Sequence, residues 1–214
     1  MSKVAYLAFT FLYLFVSSAE SALQTVNGTI HMRLGVSAGC SDAARFIQNQ
    51  LGQTYELYKE FLDIEFIPWG RATRDANGNV NCFFGPNDCW ANRLQRCVLN
   101  LLSGNKDAQI KYMTCEYSPP FPSYRQRSLQ CALSVGLNVV EVDYCFSTEI
   151  GDALEVPAEQ ASIPAVQTIN FIPFIIFNNN IDVTQHAQAY QRFQSTICFA
   201  LADDPSTGIT HCRI

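Results

Sequence analysis

The chain has 214 residues, 48% of them hydrophobic and 15% charged, a balance that suits a globular fold with a full core and argues against low-complexity disorder. Lys and Arg number 14 and Asp and Glu 19, for a net charge of -5. The basic residues are scattered rather than clustered, so neither nucleic acid nor an anionic membrane is expected as a partner.

The first element in chain order is a leader. Lys3 precedes an apolar stretch, Val4 to Val16, that ends in the small residues Ser17-Ser18-Ala19 and Ser21-Ala22. A short positive region, an apolar run too short for a comfortable bilayer crossing and a small-residue cleavage site predict a signal peptide over 1–22, cleaved near 19–22. No later apolar run reaches membrane-spanning length. Asn27-Gly28-Thr29 then offers an acceptor for N-linked sugar just after the cleavage point. Nine cysteines, at 40, 82, 89, 97, 115, 131, 145, 198 and 212, agree with an oxidising lumen. An odd count leaves at least one thiol outside any intramolecular pairing.

No internal repeat or linker is evident, and 23–214 is read as one domain. Thr29 to Val36 alternates apolar and polar residues, a strand pattern. Ser37-Ala38-Gly39 breaks it. From Ser41 the period changes, with Ala43, Phe46, Ile47 and Leu51 on one helical stripe and Gly52 as the expected stop. A second helical stretch, Tyr55 to Leu62, leads into a strand, Ile64 to Ile67, ended by Pro68. Strand, helix, strand is a parallel crossover unit, and Cys40 sits where its first strand hands over to the helix.

The middle reads as helical and cysteine-rich: Asp88 to Leu102, Tyr124 to Val135, and Val139 to Phe146 with Asn138 as cap. Phe171 to Phe177 is a buried-strand run followed by the turn residues Asn178-Asn179-Asn180. Ile181-Asp182-Val183 is expected to add a short partner strand, and Asp182 or Thr184 to cap a last helix reaching about Ala202. The layout is α/β, with a helical insertion over about 83–165.

Cys40 is the strongest chemical candidate. The exposed amides and dipole of a helix N-terminus favour thiolate, the nucleophile of disulfide exchange. Asp42 opposes that effect, because a nearby carboxylate disfavours a second negative charge. Half of a structural disulfide is the alternative reading of Cys40. Pro173, inside the buried run, has no amide to give a ladder and is unusual in a central strand. It reads either as a cis-proline facing Cys40 or as an ordinary trans strand entry. Gly35-Val36-Ser37-Ala38-Gly39 also matches a serine nucleophile elbow, with His186 or His211 and Asp182 or Asp204 as partners for Ser37. Too few strands precede it, and no helix begins directly after Ser37. A metal site is not expected: Cys82, Cys89 and Cys97 lack close-set pairs and have no histidine near them in sequence. Disulfides among Cys82, Cys89, Cys97, Cys115, Cys131, Cys145, Cys198 and Cys212 are the better account. Their pairing is left open, apart from a guess that Cys198 and Cys212 close a terminal loop.

The segment from Cys82 to Cys97 resembles the signature of the gamma-interferon-inducible lysosomal thiol reductases. Cys82, Gly85, Cys89, Asn92 and Cys97 fall in its register, Asp88 stands for its Glu, and Phe83-Phe84 replace its Gln-His. Cys40 with Asp42 and Arg45-Phe46, then Ile67-Pro68-Trp69-Gly70, then Ile172-Pro173-Phe174 are further landmarks. The resemblance implies a thioredoxin-like fold in which a cysteine pair at the helix start attacks protein disulfides, with Pro173 shaping the substrate site. The position of the second cysteine is Ala43, and the family's late Asn-Gly is Asn178-Asn179. What carries over is therefore a monothiol oxidoreductase acting through Cys40, resolved by a small thiol or another cysteine, secreted or delivered to a lysosomal or endosomal lumen, and without cofactor. A non-catalytic secreted binding protein on the same scaffold is the rival expectation.

Overall fold

The computed structural model describes residues 22–212. The expected leader, apart from Ala22, lies outside them. Asn27 (φ 53°) and Gly28 (φ 76°) form a two-residue turn closed by a bridge between Val26 and Thr29, the left-handed geometry that Asn-Gly favours. Asn27 is exposed there. β1 (Ile30–Val36) follows, its Ile30, Met32, Leu34 and Val36 facing the core. The intervening polar residues form a ladder to the neighbouring strand, where His31 meets Asp63 and Arg33 meets Glu65.

α1 (Ser41–Phe46) does not stop at Gly52. It runs through a π-helical turn (Ile47–Leu51) into α2 (Gly52–Tyr58) and a 3-10 turn (Lys59–Phe61). The buried residues Ala43, Ile47, Leu51 and Tyr55 recur every four positions. That interval lies between the 3.6 of an α-helix and the wider π turn, and one π turn keeps the stripe facing the core. β2 (Leu62–Pro68) then pairs parallel to β1, from Ile30 opposite Leu62 to Val36 opposite Pro68.

A small hairpin of β3 (Thr73–Arg74) and β4 (Val80–Asn81) leads into a helical block. Its members are α3 (Pro86–Leu101), α4 (Lys106–Glu116), α5 (Pro122–Gln126), α6 (Gln130–Ser134), α7 (Val139–Ser147) and α8 (Glu149–Ile169). The single helix expected over Tyr124 to Val135 is broken into α5 and α6 by Arg127, whose φ of 50° ends α5 in a left-handed cap. Asn138 caps α7 by accepting from the Val140 amide. α8 was not legible in the pattern, for it holds Pro157 and Pro164. These prolines lie seven apart on the exposed face, and the buried stripe opposite is mostly small: Gly151, Ala158, Ser162 and Ala165. Packing overrides the proline penalty here.

Three disulfides brace the block. Cys82–Cys89 closes the loop before α3, Cys97–Cys145 ties α3 to α7, and Cys115–Cys131 ties α4 to α6. In a chain-entropy account the 48-residue separation of the second is worth about 4 kcal/mol and the 7-residue separation of the first about 2. Cys198–Cys212 pins the tail to the last helix.

β5 (Phe174–Phe177) pairs antiparallel with β1 and completes a three-stranded sheet in the order β2-β1-β5. Gly35 stands opposite Phe174, and a Cβ at Gly35 would lie 2.0 Å from the Phe174 ring. Only glycine admits that ring. The partner strand expected at Ile181 to Val183 does not form. Asn178 (φ 49°) and Asn179 (φ 60°) reverse the chain, one bridge joins Phe177 to Asn180, and Asp182 already caps the next helix. The last helix is two: α9 (Val183–Gln191) and α10 (Phe193–Ala202), separated by a break at Arg192. α10 packs on α2 and the π turn, while α3 and α8 pack on β2. No helix among the described residues is long and apolar enough to cross a membrane.

The helical block is locked to the sheet by a buried charge network. Arg96 of α3 is 6% exposed, donates to the Pro68 carbonyl at 2.6 Å and meets Glu155 of α8 at 3.1 Å. Arg93 and Arg74 also reach Glu155, and Arg74 and Arg96 both lie over the Trp69 ring. Removing one partner leaves a buried charge uncompensated. Glu155→Ala is therefore expected to cost about 3 kcal/mol, read as a lowered urea midpoint. A change below about 1 kcal/mol, the worth of an exposed pair, would show the network to be solvated.

Candidate active site

The strand order decides what meets what. β1 ends at Val36 and β5 begins beside it, because Gly35 pairs with Phe174 in an antiparallel register. The residues after β1 and those before β5 therefore share one end of the sheet. Cys40, the N-cap of α1, sits there with its Sγ 3.4 Å from the Ile172 carbonyl, and the Ile172–Pro173 peptide is cis. Sequence reasoning left both features open, and the topology brings them together.

The loop between β1 and Cys40 is held from α3. Asp88 and Asn92, four residues apart, point from one helical face into the 37–39 segment. Asp88 is fully buried and its carboxylate accepts from the Ser37 hydroxyl (2.7 Å), the Gly39 amide (3.0 Å), the Phe84 amide (3.4 Å) and the Asn92 side-chain amide (3.2 Å). Asn92 Oδ1 accepts from the Ala38 amide at 2.9 Å. The first turn of a helix is favourable ground for a carboxylate. Phe84 closes over the same loop; a Cβ on Gly39 would lie 2.5 Å from the Phe84 Cβ. The i,i+4 spacing was visible in the sequence, but its target was not.

This arrangement also disposes of the serine elbow. Ser37 is 1% exposed, and its hydroxyl is spent on Asp88. His186 is buried elsewhere and accepts from the Ile175 amide through Nδ1, and the His211 carbonyl lies beside Cys198. No histidine serves Ser37 among the described residues.

Of nine cysteines, Cys40 alone is free among the described residues. It is 6% exposed. Burial pushes the thiol pKa above its ordinary value; the amides of Ala43 and Asp42 pull it down by less, and Asp42 and Asp88 add to the rise. The expected activation by the helix terminus is present but outweighed. Donation from Sγ to the Ile172 carbonyl favours the protonated form as well. Ala43, in the place of the second cysteine, is fully buried.

The thiol is not sealed off. It lines an open cleft of about 320 Å³ between α1 and α5, with Arg45, Gln48, Phe121, Tyr124 and Arg125 among the walls. None of the α5 residues was singled out in the sequence, since their approach to Cys40 depends on how the helical block folds back. α5 is anchored from below by Glu116, which accepts from the Ser123 amide at 3.1 Å. Glu116 is 3% exposed, and its Oε1 has no hydrogen-bond partner among the described residues. Burial holds its carboxyl above the ordinary range.

A parallel strand-helix-strand unit, an antiparallel return strand entered through a cis-proline, and a free cysteine at the first helix start define a thioredoxin-like thiol oxidoreductase scaffold. The profile described as "Gamma interferon inducible lysosomal thiol reductase (GILT)" matches residues 31–135, a segment that includes Cys40, Asp88 and Asn92. The chain belongs to the GILT family. It is 23% identical to "GILT-like protein 1" of Drosophila melanogaster over 74% of this chain and 70% of that protein. It is 24% identical to "Gamma-interferon-inducible lysosomal thiol reductase-like protein" of Anopheles gambiae, over 79% and 78% respectively. Among solved structures, a thioredoxin-like oxidoreductase from Silicibacter pomeroyi DSS-3 aligns with a TM-score of 0.46 at 10% identity, over 81% of this chain and 91% of that one.

Glu116 makes stability pH-dependent in a defined direction. Its folded pKa lies above its unfolded one, so the folded chain holds the proton more tightly. That contribution is complete below the unfolded pKa and is lost as pH rises through the folded pKa. Urea midpoints of wild type and Glu116→Gln, compared from acid to neutral pH, should diverge, the wild type losing ground as pH rises. Parallel curves would remove Glu116 from the account.

Proposed function

We propose that this chain is a thiol–disulfide oxidoreductase that is secreted or held in a lysosomal or endosomal lumen, acting on protein disulfides through Cys40 alone. The observation that carries this reading is that eight cysteines pair and leave Cys40 free, at the helix start facing the Ile172–Pro173 peptide. The Cys40 thiolate attacks a substrate disulfide, forms a mixed disulfide and expels one substrate thiolate. A small thiol then supplies the resolving attack that Ala43 cannot. Pro173 positions the substrate beside the sulfur. The same reading takes 1–22 as a cleaved leader and Asn27 as a glycan acceptor, for which a mobility shift on glycosidase treatment is the readout.

A second reading is a secreted binding protein that keeps the scaffold without the chemistry. Low exposure and a raised thiol pKa favour it, as does Ala43. One experiment separates the two: reduction of a denatured disulfide-bonded protein with added small thiol, by wild type, Cys40→Ser and Ala43→Cys. Cys40→Ser should fall to the thiol-only background, and Ala43→Cys, which restores a cysteine pair, should exceed wild type by on the order of tenfold. Alkylation of native Cys40 should quicken steadily as pH rises, because its thiolate is scarce at acid pH. Equal turnover by wild type and Cys40→Ser would establish the binding protein.

A further inference from the structure

The cleft beside Cys40 has a charge character at odds with the rest of the chain. The protein carries a net charge of -5, yet no Asp or Glu lines this cleft, while two guanidinium groups, Arg45 and Arg125, do. Arg45 is partly compensated by Asp42 at 3.2 Å. Arg125 lies over the Phe121 ring at 5.2 Å and has no carboxylate in ion-pair range among the described residues. Asp88, the other nearby acid, is buried behind the 37–39 loop and engaged by four donors. Gln48 donates to the Tyr117 carbonyl, and Arg45 and Arg125 are the charged side chains of the walls.

An unpaired guanidinium in a concave site that also holds a thiol suits a ligand with carboxylates at one end and sulfur at the other. The volume, about 320 Å³, is at the lower end of small-molecule sites and too tight for a folded partner. We propose that this cleft binds the carboxylate-bearing half of a small, tripeptide-sized thiol and seats it on the Cys40 sulfur. The proposal rests on the monothiol reading and names its co-substrate class.

The chemistry closes with that class as reductant. Cys40 thiolate opens the substrate disulfide, forming one S–S bond, breaking another and releasing one substrate thiolate. A first small thiolate attacks the mixed disulfide, leaves itself on Cys40 and frees the second substrate sulfur. A second small thiolate then attacks that adduct, restores Cys40 thiolate and departs as the oxidised dimer. Two electrons pass from two small thiols to one substrate disulfide. The cleft is the seat of the intermediate adduct.

The test uses the full chain and two probe disulfides of opposite charge, oxidised glutathione and cystamine. Each rate of adduct formation at Cys40, followed by intact mass, is divided by that probe's rate with a free cysteine peptide. Wild type should favour oxidised glutathione by about tenfold, and rising salt should shrink the preference. Arg125→Glu should reverse the order, slowing oxidised glutathione and speeding cystamine. The salt series needs no variant, so it decides the matter even if Arg125→Glu folds poorly. Normalised rates that are equal for the two probes, and insensitive to salt, would overturn the cleft assignment alone. If neither probe modifies Cys40 until the chain is unfolded, the nucleophile reading falls and the cleft proposal with it.

Discussion

The site depends on a carboxylate with no access to water. Asp88 gathers the hydroxyl of Ser37 and the amides of Gly39, Phe84 and Asn92 onto its two oxygens. Apart from Asn92, one turn further along α3, those donors belong to the segment that leaves β1 and to the loop closed by Cys82–Cys89. Burying a carboxylate is costly unless each lone pair is met, so the loop has little freedom once α3 is in place. The position of Cys40 follows from that constraint together with the register of β1 and β5.

At Cys40 two electrostatic effects of opposite sign compete, and their balance sets the resting state. Helix amides draw the thiol towards ionisation; low dielectric, a carbonyl acceptor and two nearby carboxylates drive it back. Desolvation is the larger. A thiol kept in its protonated form is a poor nucleophile and slow to oxidise. The absence of a second cysteine has a structural counterpart, since Ala43 is packed into the core without any exposed surface.

The helical block does more than cover the sheet. Through α3 it positions the loop before Cys40, and through α5 it supplies the outer wall of the cleft, including Arg125. Its attachment to the sheet relies on Arg96, which bridges the Pro68 carbonyl and Glu155, while Cys97–Cys145 and Cys115–Cys131 brace it internally. Phe84 packs against Gly39, and the largely exposed Phe83 meets its ring edge-on at 5.0 Å.

From residues alone the crossover unit around Cys40 was readable, because Thr29 to Val36 alternates and the stripe from Ala43 changes period. The buried run before Phe177 and the Asn138 cap were readable for the same reason: each is a local pattern with a local cause. Gly52 misled, since a stop is only a stop when nothing further along must be buried, and Tyr55 and Tyr58 are. α8 escaped notice because its buried face is built from small residues and its prolines face solvent. The strand at Ile181 was forestalled by Asp182, which serves the backbone of α9 instead. Sequence by itself determined which sulfur was the candidate nucleophile and which turn carried it. Only the tertiary structure decided that burial outweighs the helix terminus at that sulfur, that Asp88 grips its loop, and that arginines 80 residues apart face one cleft. Desolvation and long-range contact depend on which surfaces come together, and that information is held by no single segment of the chain.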